Sequence, residues 1–187
     1  IEVEQVVLAT PAAATARLLA GVSAVASAEA AMIETASVVV VTMVFRATAI
    51  PDRLFDVSGL LVPPIEGRQI KAATNSFAKW DWVRGLDPDV VVLRTSIGRH
   101  REVGSIQVDD QALVRASLAD LAAMTNIVDT PIATHVQRWG GGLPRYRVGH
   151  LDRGARVRAA LPAGLAVCGA SYDGVGIASV LASARSA

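Results

Sequence analysis

The residues with the clearest chemical potential lie near the C-terminus, in "CGASYDGVGIASVL". Gly169 lets the chain turn sharply off the short apolar run Leu165 to Cys168, and Gly174 and Gly176 remove side chains at the mouth of the helix that follows. At such a mouth the first backbone N–H groups have no partner inside the helix, and the partial positive charge of the helix end lies behind them. An anionic or strongly accepting oxygen, such as that of a phosphate, suits the arrangement. A tight strand-to-helix turn with no ligand explains the same residues. Asp173 weighs against a phosphate at its own position and reads as a cap. Neither G-x-G-x-x-G nor G-x-x-x-x-G-K occurs anywhere in the chain, so the turn alone does not define a nucleotide binder.

Little else offers catalytic groups. His100, His135 and His150 are scattered without metal-ligand spacing, and His150, at the start of a helix in "VGHLD", reads as a capping or packing residue. Cys168 stands alone, which excludes an internal disulfide and a cysteine metal cluster and fits a reducing compartment. At the end of an apolar strand it reads as a small core residue. Ser171 lacks the G-x-S-x-G context of a hydrolase nucleophile. No catalytic residue and no metal site is expected.

The elements that must position the turn follow from patterning. "VVLATPAAATARLLAG" reads as a strand over Val6 to Ala9 and a helix entered through Pro11, with a second alanine-rich helix from Ala24 to Glu34. The run Ala36 to Phe45 is β-branched without alternation, which predicts a strand buried on both faces. Two short strands are expected around the Pro-Pro-Ile-Glu-Gly turn, with a further strand ending at Gly98. The Trp80–Trp82 pair is expected to pack on one face of that sheet, with Trp80 able to approach a substrate entrance. Val114, Leu118, Leu121 and Met124 recur at helical spacing behind an N-cap at Asp109 or Asp110. "ATHVQRW" reads as a strand broken by Gly140 to Gly142, and a last helix precedes the closing strand.

Hydrophobic residues make up 52% of the 187 residues and charged residues 19%, against roughly 45–50% and about 25% in ordinary domains. That excess suits a lined cavity, a membrane-facing patch or a surface covered by further polypeptide. The net charge of +1 gives no footprint for nucleic acid. The longest aliphatic run, Val38 to Phe45, is far shorter than the ~20 residues of a membrane span. The opening "IEVEQVVLATP" reads as a cut through a longer protein.

Taken in order, "SGLLVP…EGRQIKAAT…KW", "VVLRTSIGR", "RW…LPRYRVGHLDR" and "LAVCGASYDGVGIASVL" resemble the C-terminal portion of bacterial protoporphyrinogen and coproporphyrinogen oxidases. These are haem-synthesis flavoenzymes of the flavin amine-oxidase superfamily. The P-R-Y-R-V-G-H run and the terminal glycine turn are the most specific parts. The resemblance implies an α/β plus α+β fold, the C-terminal part of an FAD-binding α/β domain interrupted by an antiparallel-sheet substrate domain. Residues 1–22 and 148–187 would belong to the FAD domain, and residues 23–147 to the substrate domain.

It further implies that Gly174, Val175, Gly176 and Ile177 face the pyrimidine edge of FAD, with Trp139 beside the flavin or, alternatively, an interdomain core aromatic. Leu61 and Ser96 fall where the family places residues against the tetrapyrrole. Arg94, Arg99 and Lys71 read either as donors to the peripheral carboxylates of that ring or as solvated surface charges. Partners would be a porphyrinogen, dioxygen and the missing N-terminal FAD-binding part. The location would be cytoplasmic, with peripheral membrane contact left open. Another superfamily oxidase, such as an amine oxidase or a carotenoid desaturase, and a non-catalytic tetrapyrrole-binding fragment are the alternatives. Arg145 stands where the family often has Gln.

Overall fold

A computed structural model describes residues 2–99 and 102–187 of the chain; His100 lies outside the described residues. β1 (Val6–Leu8) leads through Pro11 into α1 (Ala12–Leu19). Ser23, whose Oγ accepts from the Ala26 N–H at 3.2 Å, starts α2 (Ala24–Ala31). The β-branched run forms β2 (Thr35–Arg46). β3 (Gly59–Leu61) and β4 (Ile70–Asn75) flank the Pro-Pro turn, and two one-turn helices, α3 (Ser76–Lys79) and α4 (Asp81–Arg84), precede β5 (Val90–Ile97). Asp109 caps α5 (Asp110–Thr125), its Oδ1 accepting from the Ala112 N–H at 2.7 Å. The chain ends with β6 (Ala133–Pro144), α6 (His150–Ala159), β7 (Leu165–Val167), α7 (Ala170–Asp173) and α8 (Ile177–Ser186).

These elements form two compact units, Ile1–Ala36 with Gly141–Ala187, and Ser37–Gly140. In the first, β1 and β7 pair in parallel, with Val6, Val7 and Leu8 opposite Leu165, Ala166 and Val167. Alanines let the helices approach closely: Ala12, Ala16, Ala26 and Ala30 pack with Leu19, Ile33, Val157, Val167 and Tyr172 in one buried cluster. Ser27 Oγ donates to the Ala16 carbonyl at 2.8 Å and pins α2 to α1.

The second unit is a sheet of order β3-β4-β5-β2-β6, antiparallel from β3 through β2. One face is packed: Val39, Val41, Met43, Phe45, Leu93 and Ile97 meet Leu113 and Leu121 of α5. Each such fully buried side chain contributes about 1.5–3 kcal/mol of transfer free energy. The buried Thr95 and Ser117 hydroxyls satisfy each other at 2.7 Å between β5 and α5.

Three sequence expectations are corrected. β2 alternates between buried and half-buried residues along its outer half, so only one face is covered, and Val40, Thr42 and Val44 stand on an open face. Gly140 to Gly142 do not break β6: Gly141 absorbs the bend at φ 61°, in a place where a Cβ would lie 3.0 Å from Thr35 Oγ1. Trp82 does not pack on the sheet and is exposed, whereas Trp80 is half-buried.

Candidate functional site

The terminal glycine turn is more elaborate than one turn into one helix. Gly169, at φ 110°, leaves β7 and starts the single turn α7, and Gly174, at φ 133°, reverses the chain before α8 begins at Ile177. Both dihedrals lie where a β-carbon is strained, and at Gly174 it would also come within 2.8 Å of Ser179 Cβ. Gly176 is the N-cap of α8 and supplies no side chain to cap it. The first N–H groups of α8 therefore face outward beside Val175 and Ile177, which is 82% exposed. Asp173, expected as a cap, points away from that mouth. Its carboxylate binds Arg158 at 2.5 Å and accepts from Ser183 Oγ, which in turn accepts from the Gly169 N–H at 2.8 Å. The turn is thus held from behind and left open in front.

Tyr146 adds a link that the sequence did not disclose. Its hydroxyl donates to the Ala170 carbonyl, and its ring stacks on His150 with centroids 4.2 Å apart. Burial, first of all, raises its pKa above the ordinary tyrosine value, so the phenol stays a donor at neutral pH. The P-R-Y-R-V-G-H run and the glycine turn, two distant motifs in the sequence, are in contact through this residue. Its place in a run that also bears His150 at helical spacing was the available signal. His150 is buried as the first residue of α6, a packing role, and Cys168 is buried at the end of β7. A cavity of about 620 Å³ beside this turn is lined by Arg158, Leu165, Val167, Asp173, Ser179 and Ser183; it adjoins the mouth of α8 without including it.

In the other unit, the remaining predicted residues lie on the open side of the sheet. Leu61 pairs with Ala72, Ala72 with Ser96, and Ser96 with Val40, so Leu61 and Ser96 belong to one row across four strands. Leu61 is 85% exposed and Ser96 half-buried. On β6, Val136 packs against the core and Arg138 binds Asp110 of α5, so alternation turns Trp139 to the open face, where it is 54% exposed. Of the three cations considered for carboxylates, Arg99 donates to the carbonyls of Arg68, Val62 and Ile70 at 2.9–3.1 Å and holds the loop beside β4. Lys71 and Arg94 are half-buried rather than solvated.

No family model matches the chain. Among curated proteins, the coproporphyrinogen III oxidase of Mycobacterium leprae (strain TN) is 36% identical over 180 residues, 96% of this chain and 38% of that protein. The crystal structure of a protein described as a protoporphyrinogen oxidase, from Exiguobacterium sp. 255-15, superposes with a TM-score of 0.83 at 31% identity, over 97% of this chain and 39% of that one. Cyclohexylamine oxidase from Brevibacterium oxydans IH-35A shares the fold at a TM-score of 0.64 and 15% identity, over 90% of this chain and 37% of its own. The chain thus spans less than two fifths of the length of these three relatives. Over nearly all of its own length, it is similar to the bacterial porphyrinogen oxidases that its motifs resemble, and its fold is that of flavin amine-oxidase proteins.

Proposed function

We propose that this chain is the C-terminal portion of an FAD-dependent porphyrinogen oxidase, which converts coproporphyrinogen III or protoporphyrinogen IX to the porphyrin with dioxygen as acceptor. The observation that carries the reading is the uncapped, outward-facing start of α8, reached through a turn whose first residue, Ala170, is bound by Tyr146 within the motif that resembles the family. That helix end fits a flavin: bare N–H groups, glycines at Gly174 and Gly176 that keep side chains out of the way, and a helix dipole aimed outward. Bound FAD would supply the two-electron acceptor for the oxidation.

Gly174, Val175, Gly176 and Ile177 would hold its pyrimidine edge. Their N–H groups would donate to the ring carbonyl, where negative charge grows as the cofactor is reduced, and the helix end stabilises that charge without moving. By the same resemblance Trp139 contributes to the cofactor site. Leu61 and Ser96 would lie against the macrocycle. With Ala72 and Val40 they make a flat, largely apolar row that suits a planar ring. No acid–base side chain is required of this portion; its work is orientation and polarisation. The location is taken as cytoplasmic, with contact to a membrane surface as part of the reading. Among the described residues no helix is long and apolar enough to cross a membrane.

A second reading is favoured by one observation: the chain carries no G-x-G-x-x-G. It would then bind tetrapyrrole without performing the oxidation alone. Visible spectra of the purified chain, with FAD and with coproporphyrin III added separately, distinguish the two. The oxidase reading expects shifted flavin bands that Gly174→Val abolishes. A porphyrin shift with no flavin response supports the second reading. No response to either overturns both.

A further inference from the structure

The single turn α7 ends where a further helical bond would carry it on. Continuing it would join the Gly174 N–H to the Ala170 carbonyl and run through Val175 and Gly176 into α8. In such a continuous helix the N–H groups of Val175, Gly176 and Ile177 would be taken by the carbonyls of Ser171, Tyr172 and Asp173. They would then be lost from the helix mouth, whose free donors exist only because α8 starts afresh. The chain instead leaves α7 with Gly174 at φ 133° and ψ 148°, far from helical dihedrals.

The phenol of Tyr146 lies at that bond. Its hydroxyl donates to the Ala170 carbonyl, and the Gly174 backbone N–H hydrogen-bonds to the same phenol oxygen. The acceptor and the donor of the helical bond are thus joined through a side chain. A hydroxyl suits the place because it donates and accepts at once, and a side chain inserted into the i→i−4 ladder is a common cause of a sharp bend. Tyr146 is itself fixed by segments other than the turn it enters. Its ring stacks on the buried His150 with centroids 4.2 Å apart, and the flanking Arg145 and Arg147 both bind Glu34, at 3.0 and 2.8 Å. The Arg145 N–H also donates to the Glu34 carbonyl at 2.8 Å.

We propose that Tyr146 is a positioning residue whose hydroxyl, set between Ala170 and Gly174, separates α7 from α8 and keeps the first N–H groups of α8 free for the flavin. The inference rests on the flavin reading above and deepens it by naming what holds that site open. Removing the hydroxyl leaves the carbonyl and the N–H with no third group between them, and glycine at 174 can take up helical dihedrals without steric cost. α7 then gains its next bond, and the mouth of α8 closes. Tyr146 acts only through the backbone that it spaces and takes no part in bond making.

The test compares the native 187-residue chain with Tyr146→Phe, which removes the hydroxyl and keeps a ring on His150. Amide hydrogen exchange is followed residue by residue by NMR, and FAD affinity by the quenching of flavin fluorescence. In the native chain the Val175, Gly176 and Ile177 amides exchange fast, and the Tyr146 ring shows a nuclear Overhauser contact to the Gly174 amide proton. Absence of that contact overturns the proposal even if the variant fails to fold. In Tyr146→Phe the three amides are expected to exchange about tenfold more slowly as helical bonds form, and FAD to bind about tenfold more weakly. A tyrosine that merely packs would lower the melting temperature and leave those amides as fast as before. That result overturns the spacing, and slower amides with unchanged FAD affinity overturn the positioning role. Both leave the flavin reading standing. FAD that fails to bind the native chain overturns the flavin reading instead, and the exchange comparison still decides whether Tyr146 separates the helices.

Discussion

The two units differ in how densely their positive charges are paired. In the unit Ile1–Ala36 with Gly141–Ala187, arginines meet acids of the same unit. Arg153 and Arg156 share Glu29 at 2.8 Å, Arg145 and Arg147 share Glu34 at 3.0 and 2.8 Å, and Arg158 binds Asp173. These pairs join α2 to α6, the segment just before β2 to the loop before α6, and α6 to the glycine turn. On the open sheet face of the unit Ser37–Gly140, Arg94 is half-buried and has no such acid among the described residues. The unit has two ion pairs of its own, Arg138 with Asp110 and Arg68 with the buried Asp120 at 3.7 Å, and Asp120 also accepts from the backbone N–H groups of Gln69 and Ile70 at 2.7 and 3.0 Å. Charges that hold a fold are compensated within it.

Asp120 offers the hardest test of that contrast, because it holds the strand start from which Lys71 projects. Asp120→Ala would leave two backbone donors orphaned beside the bulge and is expected to cost about 3 kcal/mol, read from the urea midpoint. Asp120→Asn keeps an acceptor and should cost less. A loss below about 1 kcal/mol in the alanine variant would show that the bulge is held by other contacts.

Gly174→Ala ranks next. The residue sits at φ 133°, and the new β-carbon would lie 2.8 Å from Ser179 Cβ, so strain and clash coincide. The expected loss is about 2 kcal/mol. Gly176→Ala, with φ −72° and nothing nearer than Ser179 Oγ at 3.9 Å, should change stability by less than about 0.5 kcal/mol. Since its methyl crowds the helix mouth, it is expected to weaken flavin binding all the same. If both variants melt alike, the turn is not built around its glycines in the way described.

The compensated side has a pH signature. The hydrogen bond from Arg156, more than any other influence, holds the Glu29 carboxyl below its ordinary value of 4.5. A group depressed in the folded state stabilises it above the unfolded value and loses that contribution as pH falls through the folded one. Native chain and Glu29→Gln should therefore differ in melting temperature at neutral pH and converge in acid. Parallel curves down to the acid limit would mean that the Glu29 pairs do not stabilise the unit. The sheet-face Arg94 predicts no such carboxylate-linked transition of its own.

Much of this was legible from residue types. The β-branched runs gave β2 and β5, helical spacing behind Asp109 gave α5, and the order of four motifs gave the family likeness. What escaped depends on long-range packing. An apolar strand such as β2 reads as doubly buried, yet Val40, Thr42 and Val44 face outward, because hydrophobicity does not say whether the covering body is protein or ligand. Glycines read as breakers, but Gly141 bends within a continuous β6, at a place where Thr35 of a distant segment leaves no room for a β-carbon. For the site, the glycine mouth was visible locally. The Tyr146 tie was not, since 24 residues separate its hydroxyl from the carbonyl it binds. Lys71 and Arg94 were ambiguous in sequence because partnership is a property of neighbours, and only the fold shows which arginines have acids beside them.

The smallest expected effect is also the one that separates the two units most sharply. Arg94→Gln removes a contact with the Trp80 ring that contributes about 0.5–1 kcal/mol at such a site. It also removes a half-buried charge without a counter-ion, which relieves a cost of similar size. The net change in unfolding free energy is expected within about 0.5 kcal/mol and can be of either sign. Arg153→Gln, by contrast, strips one partner from Glu29 and should only destabilise. A loss above about 1.5 kcal/mol for Arg94→Gln would place Arg94 among the charges that hold the fold, and the contrast with Arg153 would vanish.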